Sequence, residues 1–427
     1  MLMPDQTNMD TILQHIAESL DITPSDFQRA VKSYTAVGNW LKEGFSLNAY
    51  PGSHAEPEIY PQGSINLGTV VRPFRNGKEE EFDVDLVCEM QTSPSIDPKI
   101  LKHQAGDRLK AHEIYREKLD EEGKRCWTMT YAASSGDPFH IDVLPCVPSI
   151  ANFATFYAGG IKISHKHKPT DTYEWRPSNP KGYANWFRAK NTTFADFAKK
   201  QRQSIYSESK VAGSGLHVFA KVEDIPDQLI RTPLQRAIQL MKRHRDISFA
   251  KNPDIKPISI IINMVAASLY QGEIDVYTAL TNIVERLSMH QDLVQNQNFA
   301  INEKVASLRL ITRTGDGKWH IPNPADPSEN FADKWHEDNH ARAKAFFKWV
   351  QQLANDIRNI PTGKGLPAVT QYLNPIFGER VTVAGITKLG ESFRTSRESG
   401  TLKMQTGSGL LGSVGSLGVG AHTFYGA

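Results

Sequence analysis

The apolar positions of this chain fall into three regimes. Near the N-terminus, Ile12, Leu13, Ile16 and Leu20 recur at helical spacing within residues 9–22. A second helix is predicted to start at Thr23-Pro24-Ser25-Asp26, where Thr suits the cap, Pro the first turn and Asp26 a capping box. Phe27, Val31, Tyr34 and Leu41 give it one apolar stripe, and Gly44 ends it. Residues 45–160 change period. Short β-prone runs (TVVRPF, EFDVDLVCEM, WTMTYAAS, FHIDVLPCV) are separated by Gly, Pro, Asn and Asp. The turn signal SSGDP predicts a hairpin between TMTYAAS and FHIDVLPCV, and 97–122 reads as a helix interrupting the strands.

From about residue 228 the helical period returns. Thr232-Pro233-Leu234-Gln235 reads as a capping-box start, and Leu234, Ala237, Ile238 and Met241 fall at i, i+3, i+4 and i+7. Ile258, Ile261, Ile262 and Val265 repeat the stripe after Pro257, and 339–358 is predicted to be a further helix. The Pro- and Asn-rich stretch 319–336 is expected to be a structured loop. Residues 403–427 hold seven glycines and almost no charge, which predicts a flexible tail. No internal repeat is evident. The mixture predicts an α+β fold with a mixed sheet.

Composition narrows this only a little. At 427 residues the chain is long enough for two or three domains. Its 49 basic and 47 acidic residues nearly cancel, which favours small substrates over a long polyanion. Three widely spaced cysteines, Cys88, Cys126 and Cys146, fit reduced thiols in a cytoplasmic protein. No apolar run approaches a membrane span, and the N-terminus lacks signal-peptide character.

The chemistry concentrates in three places. In 82-FDVDLV-87, alternation puts Asp83 and Asp85 together on the face opposite Phe82, Val84 and Leu86. Asp142 in 139-FHIDVLPC-146 faces away from its own apolar set in the same way. If the two strands are neighbours, three carboxylates converge, and such a group holds one or two Mg²⁺ or Mn²⁺ ions. The segment 62-QGSINLGT-69 precedes them, and it lacks the Gly-Lys-Ser/Thr ending of a P-loop. Each feature alone has a bland reading, a wet strand face or a turn; the order Gly-Ser, DxD, Asp is what carries weight.

That order resembles the GSxxxGT, DxD and third-Asp signature of polymerase-β-like nucleotidyltransferases. Within them the chain is similar to the cGAS/DncV-like nucleotidyltransferases (CD-NTases) of bacterial CBASS anti-phage systems, nearest clades C or D. The resemblance implies a bilobal fold: a nucleotidyltransferase lobe with N-terminal helices (1–225), a helical lobe (226–385) and a flexible Gly-rich tail (386–427). It implies a metal-dependent synthase that converts ATP, with or without GTP or another NTP, into an adenosine-containing cyclic trinucleotide. That messenger would act on an effector, with no membrane and no obligatory nucleic acid. Asp83, Asp85 and Asp142 would be catalytic and bind two Mg²⁺. Gln62, Gly63, Ser64, Lys242 and Ser259 would hold the nucleotide, with Lys242 emerging at a cleft; read without the family, Lys242, Arg243 and Arg245 form a solvated basic face. Gly426 and Ala427 would be joined to other molecules by an E1–E2-like ligase. The rival readings are a transferase acting on RNA, tRNA or protein, and a module that works through its tail. Elsewhere, His165 and His167 lack zinc-ligand spacing with any cysteine, aromatics in 153-FATFY-157 and 183-YANWF-187 read as core, His140 reads as a strand-face residue, and 322-PNPADPSEN-330 reads as a shaped turn.

Overall fold

The computed structural model describes residues 4–46, 56–75, 77–92, 95–132, 136–149, 158–190, 199, 202–203, 206, 221, 230–289, 310–314, 316–362, 364–407, 409, 411–412 and 415–420. Helices α1 (Pro4–Glu18) and α2 (Pro24–Ser46) lead into β1 (Glu58–Gln62), the single-turn helix α3 (Gly63–Leu67), β2 (Phe74–Arg75), β3 (Lys78–Glu79) and β4 (Phe82–Glu89). Then follow α4 (Pro98–Lys110), α5 (Glu113–Lys118), β5 (Trp127–Tyr131), β6 (Phe139–Pro148), β7 (Ile161–His167), β8 (Thr172–Ser178) and α6 (Pro180–Lys190).

The main sheet runs β1-β4-β6-β7-β8, with β5 on the first half of the long β6. Only β4 and β6 pair in parallel; the rest of this sheet is antiparallel. Alternation works as the sequence predicts. Phe82, Val84, Leu86, Phe139, Ile141 and Val143 are buried in one core with Val37 and Leu41 of α2 and Leu101 and Ala105 of α4. The predicted hairpin is β5 and β6, with Trp127 opposite Val143 and Tyr131 opposite Phe139. Two expectations change. The helix expected over 97–122 is broken at His112, whose backbone is extended. The run TVVRPF yields only the two-residue β2, because the carbonyls of Thr69 and Val70 accept side-chain donors instead of a strand.

The second half contains α7 (Pro233–Ser248), α8 (Ser259–Leu269), α9 (Val276–Ser288), the short strands β9 (Thr312–Arg313), β10 (Trp319–His320), β11 (Pro322–Asn323) and β12 (Asp326–Asn330), then α10 (Ala341–Arg358), α11 (Leu366–Phe377) and α12 (Glu379–Glu398). Thr232 and Gln235 form the expected capping box, and Pro233 occupies the first turn. Helix α7 is buried almost all round, not on one stripe. The solvated basic face is therefore corrected: Lys242, Arg243 and Arg245 are all buried. Arg243 donates to the Phe377 carbonyl (2.8 Å), and Arg245 donates to the Pro257 carbonyl (3.0 Å) and to Asp246.

The expected boundaries do not follow the packing. Ile12, Leu13 and Ile16 of α1 and Tyr183 and Phe187 of α6 share their core with α7 to α11, although both helices lie inside 1–225. Residue 386 falls within α12, which lies along α1. The described part of the expected flexible tail is folded. Strands β13 (Lys403–Met404), β14 (Leu411–Gly412) and β15 (Leu417–Gly418) form a small antiparallel sheet. Leu402 is buried, and Asn8 of α1 donates to the Leu411 carbonyl (3.1 Å). Small side chains let these short strands lie close. Gly426 and Ala427 lie outside the described residues, as does 153-FATFY-157. No described helix is long and apolar enough to cross a membrane.

Where α12 crosses α1, Gly385 leaves room for nothing larger. A Cβ there would stand 2.7 Å from Ile16 Cγ1 and 3.2 Å from the Ile12 carbonyl oxygen. Gly385→Val should lower unfolding free energy by about 1–3 kcal/mol through overpacking. Urea denaturation monitored by circular dichroism measures this, and an unchanged midpoint would contradict the crossing.

Candidate active site

The parallel pairing of β4 and β6 sets Asp85 directly opposite Asp142 and Asp83 opposite His140. The row extends across four strands: Gln62 pairs with Asp85 on one side, and Thr128 with Asp142 on the other. Adjacent strands lie about 4.8 Å apart, so Asp83, Asp85 and Asp142 share one small patch. Thr128 Oγ1 donates to Asp142 Oδ1 (2.5 Å). Burial, then the Asp142 and Asp83 carboxylates, push Asp85 up to about 7. Burial and Asp83 raise Asp142 as well, against the Thr128 bond. His140 is raised by its bond to Asp83 and by Glu81. A patch of three crowded carboxylates, in which Asp85 and Asp142 are raised, fits a divalent cation, and an oxygen-only donor set suits Mg²⁺ or Mn²⁺.

Strand β1 then delivers the glycine loop onto this patch. Gly63 has φ +65°, and a Cβ there would stand 2.0 Å from Asp85 Oδ2. Only glycine meets both conditions. The chain makes the single turn α3 and leaves it at Gly68 in the left-handed region, with Thr69 N–H bonded to the Ser64 carbonyl (2.9 Å). Among the described residues nothing hydrogen-bonds the Ser64 hydroxyl. A cavity of about 660 Å³ has Gln62, Gly63, Asp85 and Asp142 on its wall and continues past Arg125 to β8 and the β11–β12 hairpin. Asp83 lines a neighbouring acidic depression with Glu79, Glu81 and His140.

Lys242 differs from its expected place. It does not emerge at the cavity. It is buried, and its ammonium donates to the Thr69 carbonyl (2.9 Å) and Thr69 Oγ1 (3.1 Å). Burial, then Arg245, push it down to about 7. It grips the glycine loop from behind, together with Gln235 on the Leu67 carbonyl (2.8 Å) and Gln239 on the Val70 carbonyl (2.9 Å). Ser259 opens α8, and its hydroxyl accepts from Arg245 Nη1 (3.0 Å) while Ile258 and Ile260 line the cavity.

Sequence reasoning missed Thr128, Gln235 and Gln239. Thr128 shares the alternation of Asp142, and Gln235, Gln239 and Lys242 fall at i, i+4 and i+7 on one helix, so both signals were present. Tyr183 and Phe187 are core residues, as read. His165 and His167 meet Glu174 of β8, their ligand atoms lying within 4.8 Å of one another. Arg176 already pairs with Glu174 (2.6 Å), and Arg125 donates to His165 (3.4 Å). Two guanidiniums oppose a dication there.

Residues 7–191 match the Second Messenger Oligonucleotide or Dinucleotide Synthetase domain family. The chain is 29% identical to a c-di-GMP synthase of Roseivirga ehrenbergii, over 99% of this chain and 98% of that one. It is 25% identical to the cyclic dinucleotide synthase CdnG of Bradyrhizobium diazoefficiens, over 96% and 92%. The structure of the Bradyrhizobium diazoefficiens CD-NTase CdnG in complex with GTP superposes with a TM-score of 0.66 at 23% identity, over 89% of this chain and 99% of that one. The mixed sheet with its surrounding helices is therefore a fold common to both. The match of residues 7–191 to that synthetase domain family and the full-length likeness to two cyclic dinucleotide synthases support a cGAS/DncV-like nucleotidyltransferase.

Proposed function

We propose that the chain makes a cyclic dinucleotide from GTP by nucleotidyl transfer at Asp83, Asp85 and Asp142. The observation that carries this reading is the register that sets Asp85 against Asp142 with Gly63 seated on Asp85. The three carboxylates would hold one or two divalent cations. When bound, such ions offset the carboxylate charge and stabilise charge developing on phosphoryl oxygens. Gln62, Gly63 and Ser64 would hold the triphosphate, with the Ser64 hydroxyl, unbonded among the described residues, as one donor. Ser259 positions the start of α8 at the cavity. Lys242 acts at one remove, by fixing Thr69. An acceptor ribose oxygen gives up its proton to the carboxylate patch and attacks the α-phosphorus in line, and pyrophosphate leaves. A second, intramolecular attack closes the ring.

The names of both relatives support a dinucleotide, one names c-di-GMP, and a structural neighbour holds GTP. They favour this product over an adenosine-containing cyclic trinucleotide, which is the alternative outcome of the same assay. The protein with each NTP, alone and mixed, and Mg²⁺ or Mn²⁺ should give a phosphatase-resistant product. Mass spectrometry should identify cyclic di-GMP from GTP alone. Asp83→Asn with Asp85→Asn should cut the yield by about 10³-fold or more, the several kcal/mol such ions supply. Undiminished synthesis by that variant would sink the assignment.

Asp85 also predicts a pH effect on metal-free stability. Its folded value near 7 lies above the ordinary 3.8, so the folded state holds a proton that the unfolded state has lost. Stability from this group is therefore complete below about pH 4 and is lost as pH rises toward 7. Without metal, Asp85→Asn should melt above the wild type at pH 8 and level with it at pH 4. Mn²⁺ should raise the wild-type melting temperature at pH 8 and leave the variant's unmoved. Parallel melting profiles for the two proteins would count against the strained carboxylate patch.

A further inference from the structure

The hairpin 322–330 is where the helical half meets the wall of the 660 Å³ cavity. Its polar side chains sort by what they touch. Asn323 Oδ1 accepts from the Ala325 N–H (2.9 Å), and Asp326 Oδ1 accepts from the N–H and hydroxyl of Ser328 (3.1 and 2.5 Å). Asn330 Oδ1 accepts from the N–H groups of Ile321 and Ala332 (2.9 Å each). These three shape the turn. Glu329 bonds no backbone. Among the described residues its carboxylate accepts only from Ser178 Oγ of β8 (3.1 Å to each oxygen) and Asn323 Nδ2 (2.7 Å). Both donors are neutral, and among the described residues no cation lies within ion-pair distance. A carboxylate offers about four acceptor sites, so two neutral donors leave acceptor capacity on a largely buried acid, which is costly without a further partner. Burial raises its pKa accordingly. The Tyr183 hydroxyl is a second unmet group: it is buried, has no hydrogen-bond partner among the described residues, and belongs to a residue that lines the same cavity.

We propose that Glu329 reads the Watson–Crick edge of a guanine and sets the base preference of the enzyme. This rests on the reading that the cavity takes a nucleotide. Guanine presents N1–H and N2–H₂ side by side, two donors that meet two carboxylate oxygens. Its O6 lies beside N1–H, and the Tyr183 hydroxyl offers a donor for it. Adenine turns the lone pair of N1 toward the carboxylate and is repelled. A site built to bond a donor pair rejects the analogue lacking it, because its own buried group is then left unpaired. Apolar Leu144, Ile163 and Ile258 line the cavity and offer contacts to the faces of the ring.

Isothermal titration of the full chain with the α,β-methylene analogues of GTP, ITP and ATP tests this. The wild type should bind the GTP analogue about 10- to 100-fold more tightly than the ATP analogue, with ITP, which lacks the N2 amino group, between them. Glu329→Gln should bring the GTP and ATP analogues to similar affinity, because an amide pairs its oxygen with adenine N6–H₂ and its NH₂ with N1, and likewise its oxygen with guanine N1–H and its NH₂ with O6. Equal wild-type affinities for the three, or a folded Glu329→Gln protein with an unchanged GTP:ATP ratio, would overturn the proposal. The wild-type series needs no variant, and a melting curve checks that the variant is folded. Guanine selectivity without any phosphatase-resistant product from NTPs would defeat the catalytic reading and leave Glu329 standing. Product from GTP with selectivity untouched by Glu329→Gln would do the reverse.

Discussion

The structure depends on three backbone carbonyls being satisfied between two halves of the chain. Residues 67–70 pass from the glycine loop toward β2 through buried space, where they make no strand. Gln235, Gln239 and Lys242, on one side of α7, supply donors to the carbonyls of Leu67, Val70 and Thr69. An unmet buried carbonyl costs about 1–3 kcal/mol, so this stripe fixes both where the loop runs and how α7 sits on the sheet. Gly68 belongs to the same constraint: a Cβ there would stand 2.4 Å from Gln235 Nε2. The loop is thereby held from behind by the helical half while its front meets Asp85 through Gly63. Lys242 and Asp85 feel each other across it, each shifting the other toward its charged form.

This constraint explains which parts of the molecule were legible in the sequence. The carboxylate patch was, because strand alternation fixes faces and the order of motifs points to neighbouring strands. The capping box of α7 was, because its chemistry is local. The surroundings of α7 were not. A helical stripe tells which residues face one neighbour, but α7 is buried almost all round, against α1, α8 and α9. Lys242 therefore turns to a carbonyl where a one-sided helix would have offered it solvent or substrate. Long-range packing misled the boundaries for the same reason: α1 joins the core of helices more than 200 residues away. The glycine-rich end failed differently. Composition reads as freedom, yet small residues also let short strands approach, and β13 to β15 use them so.

The near-zero net charge hides a strong internal separation of sign. Arg231, Arg236, Lys242, Arg243 and Arg245 are buried in or beside α7, while Asp83, Asp85 and Asp142 crowd the sheet face in front of it. The basic groups are not available to a triphosphate. Lys242 is engaged by Thr69, Arg243 by the Phe377 carbonyl, and Arg245 by Asp246. At the far wall Arg176 is paired with both Glu174 and Asp333. On the proposed reading a nucleotide triphosphate would meet a patch that repels it, with Arg125 on the cavity wall bonded, among the described residues, only to the neutral ring of His165. The arrangement would suit a nucleotide bound together with a dication, which Asp83, Asp85 and Asp142 would hold and which would offset carboxylate and phosphate charge together. Asp85, pushed up to about 7 by burial and the neighbouring carboxylates, would be drawn toward its charged form by such an ion. On the proposed reading, a need for a metal would follow from where the protein's own positive charges are already bound.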